Sequence, residues 1–163
     1  MPNIDRIKKY KKIHMIGIGG VSMSGIAEIL HNWGFEVSGS NNSSNENVIK
    51  LIEAGIPVKL EHCAENVKGA DVVVYTAAIS KDNPEFVHAK ELGIPTIERS
   101  TFLGELTRCF ENTVTIAGTH GKTTTTSMVS LCFLEALKDP SIQVGATLPE
   151  IDGNYLVGNS EYF

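Results

Sequence analysis

The 163-residue sequence predicts an α/β protein: a parallel sheet with flanking helices, followed by the opening of a second strand–loop–helix unit. Three observations carry this expectation. Short β-rich runs alternate with helical runs along the chain, the pattern of β-α-β units with right-handed crossovers. The VVV core of DVVVYTAA (71–78) is uninterrupted, as in a strand buried on both faces. Glycine-rich loops stand at two strand-to-helix junctions, GIGGVSMSG (17–25) and GTHGKT (118–123).

The elements follow in order. KIHMI (12–16) reads as the first strand and leads into the first glycine-rich loop. SMSGIAEILHNW (22–33) has the apolar spacing of a helix, with Gly34 placed to cap its end. FEVSGS (35–40) is a second strand. The helix over NENVIKLIEA (45–54) has Ser43 and Glu46 at capping-box spacing and Gly55 at its end. PVKL (57–60) and DVVVYTAA are further strands. Asn83-Pro84-Glu85 opens another helix, with asparagine as cap and proline at the first helical position, and Gly93 ends it. PTIE (95–98) is the next strand and STFLGELTRCF (100–110) a helix. NTVTIAG (112–118) then begins the second unit, whose helix runs through SMVSLCFLEALK, followed by IQVGAT (142–147) and a turn at Asp152-Gly153-Asn154. RCFEN (108–112) is the expected boundary, giving a first domain over 1–110 and the opening part of another over 111–163. The stop at SEYF, just after a polar turn, reads as a cut within that second domain.

Composition narrows the class. Hydrophobic residues make up 42% of the chain and the net charge is −5, so nothing suggests a nucleic-acid or anionic-membrane partner. No apolar run approaches the roughly 20 residues needed to span a bilayer, and MPNIDRIKKYKK lacks the apolar core of a signal peptide. Three dispersed cysteines, with no CxxC, suit reduced thiols. A cytoplasmic globular protein is expected.

Both loops suit anions. In the first, glycines permit a tight turn and close backbone approach, and the helix beyond adds N–H donors and partial positive charge. Against G-x-G-x-x-G it supplies Gly17 and Gly19 but has Ser22 at the third position. Strand two ends in Ser40-Asn41-Asn42, without the acid that would bind a dinucleotide's ribose. Phosphate binding is therefore expected here, and an NAD-dependent oxidoreductase is argued against. The second loop is a shortened P-loop, Gly118-x-x-Gly121-Lys122-Thr123, with Ile116 where the first glycine would stand. Gly118 and Gly121 let amides turn toward phosphate oxygens. Lys122 would reach the β- and γ-phosphates, and Thr123 would complete a Mg²⁺ shell. Four threonines (123–126) open the following helix although threonine is a mediocre helix former. Short hydroxyls facing phosphate explain their placement, with Thr123 assigned to the metal and Thr124 to phosphate.

These blocks together resemble the Mur ligases of peptidoglycan synthesis. The likeness rests on IHMIGIGGVSMSGIAEIL (13–30), VSGS (37–40), TAAISKDNPE (76–85), ERSTFLGEL (98–106) and TIAGTHGKTTT (115–125), spread over almost the whole chain. It implies a Rossmann-like UDP-sugar domain, a central P-loop ATPase domain and a C-terminal amino-acid domain, of which this chain holds the first and the start of the second. It implies ATP-dependent joining of L-alanine to the lactyl carboxylate of UDP-N-acetylmuramate through an acyl phosphate. The close competitor is the relative that attaches a recycled tripeptide to the same sugar nucleotide; a stand-alone nucleotide-binding regulatory module is a further alternative. By resemblance, Gly19, Gly20, Val21 and Ser22 hold the UDP diphosphate, Gly17 belongs to the same UDP-sugar site, and Ser40, Asn41 and Thr76 lie around the uridine or its phosphates. Gly118, Thr119, His120, Gly121, Lys122, Thr123 and Thr124 bind ATP, with Lys122 and His120 catalytic. The resemblance implies an aspartate just after VSGS, where this chain has Asn41. The remaining metal ligands and the amino-acid domain would lie beyond Phe163, so the chain alone is expected not to catalyse ligation.

Other residues read as structural. His14 suits a satisfied core histidine, and His31, His62 and His88 suit solvent-facing positions. Trp33 suits packing, Asp71 and Glu98 suit structural strand-end carboxylates, and Lys8, Lys9, Lys11 and Lys12 form a solvated face.

Overall fold

The computed structural model describes residues 2–163 and contains the expected parallel sheet. Its strands are β1 (Lys12–Ile16), β2 (Glu36–Ser40), β3 (Val58–Lys59), β4 (Val72–Tyr75) and β5 (Thr96–Glu98), in the order β3-β2-β1-β4-β5 with every neighbouring pair parallel. The crossovers are α1 (Val21–Asn32), α2 (Glu46–Glu53), a 3₁₀ turn (Ala64–Val67) and α3 (Pro84–Glu91), and α4 (Arg99–Thr107) follows β5 directly. The order reverses direction between β1 and β4, which is where open parallel sheets bind ligands, outside the carboxyl ends of the strands.

Burial explains the uninterrupted valines. Ile13, Met15, Val72 and Val74 face one core with Ile26, Ile29 and Leu30 of α1. Ile16 and Val73 face the other with Phe86 and Ala89 of α3. Each fully buried aliphatic side chain contributes roughly 1.5–3 kcal/mol, so both faces of the sheet must be apolar and alternation disappears. Gly34, Gly55 and Gly93 end their helices with φ of +85°, +89° and +68°, a left-handed conformation that glycine adopts without Cβ strain.

Several elements differ from expectation. The cap of α2 is Asn45, whose side chain accepts from Val48 N at 2.9 Å, whereas Ser43 lies in the preceding turn. Four expected residues of β3 shrink to two, because only Gly39 and Ser40 of β2 pair with it. Trp33 packs as expected, its ring centroid 5.3 Å from that of Phe110. Asp71 accepts from the amides of Lys11 and Lys12 at 2.7 and 2.9 Å, and these bonds hold its carboxyl below the usual range.

The second unit contains α5 (Lys122–Glu135), β6 (Ile142–Leu148) and β7 (Gly153–Leu156). The strand expected at 112–118 does not form a ladder. It makes a single parallel bridge, Asn112 to Tyr162, with Val114 N donating to Phe163 O, and the rest of the segment finds no strand beside it. β6 and β7 form an antiparallel hairpin that the sequence reading treated only as a turn. This hairpin docks on α1 at Gly25, where an added Cβ would lie 2.9 Å from Tyr155 Cβ. Burial pushes the Tyr155 hydroxyl up, and nearby Glu28 adds to the effect. Among the described residues no helix is long and apolar enough to cross a membrane, and the three cysteines are free.

Candidate functional site

The first loop is shaped by hydrogen bonds that consume the amides of its glycines. Gly17 N and Ile18 N donate to Ser40 O at 2.8 and 3.0 Å, and Gly19 N donates to Asn41 Oδ1 at 3.3 Å. Asn45 and Asn47 both donate through Nδ2 to Gly19 O at 3.1 Å. A Cβ on Gly19 would lie 2.6 Å from Val48 Cγ2 and 2.9 Å from Asn41 Nδ2, so only glycine fits between β2 and α2. Gly17, with φ +78°, turns beside Thr76.

The donors left for an anion lie one turn further on. Ser24 N is the first α1 amide bonded within the helix, to Gly20 O at 2.9 Å, and Gly20 brings no side-chain cap. The amides of Val21, Ser22 and Met23 have no partner among the described residues. These are the orphan donors of a helix N-terminus, carrying its partial positive charge. Within the expected set, Gly17, Gly19 and Gly20 therefore build the turn, Gly20 N donating to Gly17 O at 3.1 Å, while Val21 and Ser22 present donors. Ser40 is fully buried and its hydroxyl faces inward, so it anchors the loop through its carbonyl.

A residue that sequence reasoning missed completes this corner. Arg99 Nη1 donates to Ser22 Oγ at 2.9 Å, and Arg99 forms no ion pair among the described residues. Gln143 Nε2 reaches Ser22 O and Oγ at 2.8 and 3.0 Å, and Asn154 Nδ2 reaches Val21 O at 3.0 Å. With Arg99 and Gln143 both donating to it, the Ser22 hydroxyl is free to donate outward. Arg99 is 77 positions from Ser22 and Gln143 is 121, so no local spacing could have paired them.

The second loop repeats the design. Gly121 caps α5 with φ +77°, and Thr125 N bonds Gly121 O at 2.9 Å. That leaves the amides of Lys122, Thr123 and Thr124 without partners among the described residues. Lys122 Nζ folds back onto Gly118 O and Thr119 O at 2.5 and 3.2 Å. His120 and Thr119 are exposed. Thr126 Oγ1 donates to Lys122 O at 2.8 Å, a local bond that ties up the last threonine of the run. β6 touches both loops: Gln143 holds Ser22, and two residues on, Gly145 would place a Cβ 3.4 Å from Thr123 Oγ1. Residues two apart share a strand face.

Beneath the first loop lies a buried polar cluster. Glu85 is fully buried and accepts from Ser40 Oγ at 2.5 Å and Asn66 Nδ2 at 2.5 Å. His62 Nδ1 lies 3.0 Å from Glu85 Oε2 and 2.9 Å from Ser40 Oγ. His14 bonds Ser38 Oγ at 3.0 Å through Nδ1, but its Nε2 stands 3.6 Å from Glu85 Oε1 and is left without a hydrogen bond. His14 is thus a core histidine only half satisfied, and His62 is not solvent-facing: its side chain is 10% exposed. Burial pushes the Glu85 carboxyl up, but the facing His14 and the hydrogen bonds from Ser40 and Asn66 outweigh it and hold the group below its ordinary value.

Residues 12–111 match the family described as Mur ligase family, catalytic domain. The UDP-N-acetylmuramate–L-alanine ligase of Acetivibrio thermocellus is 53% identical over 155 residues, covering 95% of this chain and 33% of that protein. The enzyme of the same name from Clostridium perfringens is 52% identical over 153 residues, covering 94% of this chain and 34% of that protein. The chain spans about a third of the length of these curated relatives. Among solved structures, UDP-N-acetylmuramate–alanine ligase from Thermotoga maritima superposes with a TM-score of 0.85 at 36% identity, covering 93% of this chain and 36% of that one. UDP-N-acetylmuramate:L-alanyl-γ-D-glutamyl-meso-diaminopimelate ligase from Neisseria meningitides gives 0.84 at 30% identity, covering 94% and 51%.

Proposed function

As the chain belongs to the Mur ligase family, we propose that it carries the UDP-sugar site and the P-loop of a ligase that joins L-alanine to UDP-N-acetylmuramate with ATP. The observation that carries this reading is the pair of helix N-termini whose amides have no partner among the described residues, each beside a cation with no ion pair among them, Arg99 at the first and Lys122 at the second. The L-alanine reading is favoured over the tripeptide reading by identity, since relatives named for L-alanine reach 53% and the solved tripeptide ligase 30%. Its setting would be the cytoplasm, where sugar nucleotide and ATP are both at hand.

At the first loop the amides of Val21, Ser22 and Met23, with the Ser22 hydroxyl and Arg99, bind the diphosphate of the sugar nucleotide. Asn41 and Ser40 keep the loop in register, and Thr76 stands beside Gly17, where an added Cβ would lie 3.7 Å from its Cγ2. At the second loop Gly118, Thr119, Gly121 and the amides of Lys122 to Thr124 cradle ATP phosphates. Lys122 exchanges its two carbonyl contacts for the β- and γ-phosphates, neutralising charge as the γ-phosphoryl passes to the lactyl carboxylate. A carboxylate is a poor electrophile, and the acyl phosphate so formed is open to the alanine amine. His120, exposed two residues before Lys122, would lie near the sugar substrate and the transferred phosphate, as the family likeness implies. Thr123 fits a Mg²⁺ role, because its hydroxyl has no hydrogen bond among the described residues and Gly145, where a Cβ would lie 3.4 Å from it, leaves room beside it. Mg²⁺ bound there would take its other ligands from phosphate and water and neutralise phosphate charge. Domains over 1–110 and 111–163 remain the working division.

Calorimetric titration of the chain with UDP-N-acetylmuramate tests the proposal. Saturable heat is expected, and none up to about millimolar ligand with folded protein counts against it.

A further inference from the structure

Two of the amides left open at the start of α1 are backed by side chains from the hairpin. Gln143 Nε2 donates to Ser22 O at 2.8 Å, and Asn154 Nδ2 donates to Val21 O at 3.0 Å. A peptide plane joins one residue's carbonyl to the next residue's N–H. The Ser22 carbonyl therefore shares its plane with Met23 N–H, and the Val21 carbonyl shares its plane with Ser22 N–H. Neither N–H has a partner among the described residues. A donor on the oxygen of a peptide group polarises that group and strengthens the bond its N–H makes, by about 10–30%. The hairpin thus acts on the outward donors from behind.

Gln143 has a second effect. Its Nε2 also reaches Ser22 Oγ at 3.0 Å, and Arg99 Nη1 reaches the same oxygen at 2.9 Å. A hydroxyl has two lone pairs and one hydrogen. With an N–H donor on each lone pair, the Ser22 proton must point to a third group, and no acceptor for it stands among the described residues. Ser22 occupies the third glycine position of G-x-G-x-x-G. This departure from the fingerprint adds a hydroxyl to the loop, and Gln143 and Arg99 together fix its direction.

The hairpin register brings Gln143 to that place. Gln143 pairs with Tyr155 across the ladder, and Tyr155 packs on Gly25, three residues after Ser22 and on the same face of α1. A Cβ at Gly25 would lie 3.3 Å from Gln143 Nε2, so glycine there lets the strand come close enough for the contact. Lys50 Nζ donates to Asp152 O at 2.9 Å and ties the turn before β7 to α2.

We propose that Gln143 is a positioning residue of the diphosphate site, directing the Ser22 hydroxyl and the Met23 amide at the anion. This rests on the reading of the first loop as the sugar-nucleotide site. Arg99 supplies charge in this arrangement, whereas Gln143 supplies direction and acts only through Ser22.

The test follows UDP binding by NMR at the Met23 amide, a probe within the first loop, in wild type, Gln143→Met, Ser22→Ala and the double variant. Methionine keeps the length and volume of glutamine but donates no hydrogen bond. Gln143→Met is expected to weaken UDP about fivefold to tenfold. In the Ser22→Ala background the same change is expected to cost only about twofold, because the hydroxyl it directs is gone. Equal UDP affinity in wild type and Gln143→Met overturns the inference and leaves the diphosphate site standing. A loss of the same size with and without the Ser22 hydroxyl, as a merely structural role would give, also overturns it. A wild-type Met23 amide that does not respond to UDP overturns the reading of the loop, and the inference with it. A second measurement needs no variant. The side-chain amide resonances of Gln143 should shift as UDP saturates the wild-type protein, because its bonds to Ser22 tighten; resonances that stay in place while the Met23 amide shifts overturn the proposal.

Discussion

Replacing Glu85 by glutamine probes whether the buried carboxylate holds its neighbours or merely fills space. Its oxygens face Ser40 Oγ and Asn66 Nδ2 at 2.5 Å, His62 Nδ1 at 3.0 Å and His14 Nε2 at 3.6 Å. Glutamine keeps one oxygen and turns an amide nitrogen toward the other pair, so one or two buried donors lose their acceptor. Each such loss costs roughly 1–3 kcal/mol, which puts the destabilisation at pH 7 at about 2–4 kcal/mol. For a chain of this size that lowers Tm by roughly 5–15 °C. The pH dependence has a definite sign. The native carboxyl titrates below its ordinary value of 4.5, so its ionised form stabilises the fold above that value, and the contribution fades as pH falls through the lower native pKa. The gap between wild type and variant should be steady from about pH 7 to 5.5 and narrow below about pH 4.5. Urea unfolding followed by circular dichroism at several pH values measures both quantities. A glutamine variant as stable as wild type at neutral pH, or a gap that stays constant into acid, refutes the reasoning.

Other outcomes follow from the loops and the hairpin. Gly19→Ala should cost roughly 1–3 kcal/mol by overpacking Val48 Cγ2, 2.6 Å from the new Cβ, and should weaken UDP at least about tenfold as the loop shifts; thermal unfolding and titration read the two effects. Lys122→Ala should remove ATP turnover in a full-length protein while leaving UDP-N-acetylmuramate affinity nearly intact, because its Nζ bonds Gly118 O and Thr119 O within the second loop. A large loss of sugar-nucleotide binding would mean the two sites are wrongly placed. Gly25→Val should push the hairpin off α1, since even a Cβ there lies 2.9 Å from Tyr155. Hydrogen exchange should then accelerate across 153–156 but not across β1, and unchanged protection of the hairpin would contradict the docking.

The alternation of strands and helices in a parallel sheet and the glycine turns that open α1 and α5 were legible in the sequence because they depend on short-range constraints. The apolar runs, the Asn83-Pro84 cap, the left-handed glycines and the Gly-Lys-Thr junction each act within a few residues, and the family likeness follows from the same blocks. The strand expected at 112–118 failed for the opposite reason: β structure needs a neighbour, and the chain offers this segment only the short stretch 161–163. Tertiary structure alone decided which amides remain free, because Gly17 N and Gly19 N donate to Ser40 O and Asn41 Oδ1, acceptors distant in sequence. It alone brought Arg99 and Gln143 to Ser22 and gathered His14, Ser40, His62, Asn66 and Glu85 from five separate segments into one cluster. A histidine's neighbours in sequence carry no information about which carboxylate it will meet. Its hydrogen-bond state is set by the packing of the sheet and α3, and exists only once they have come together.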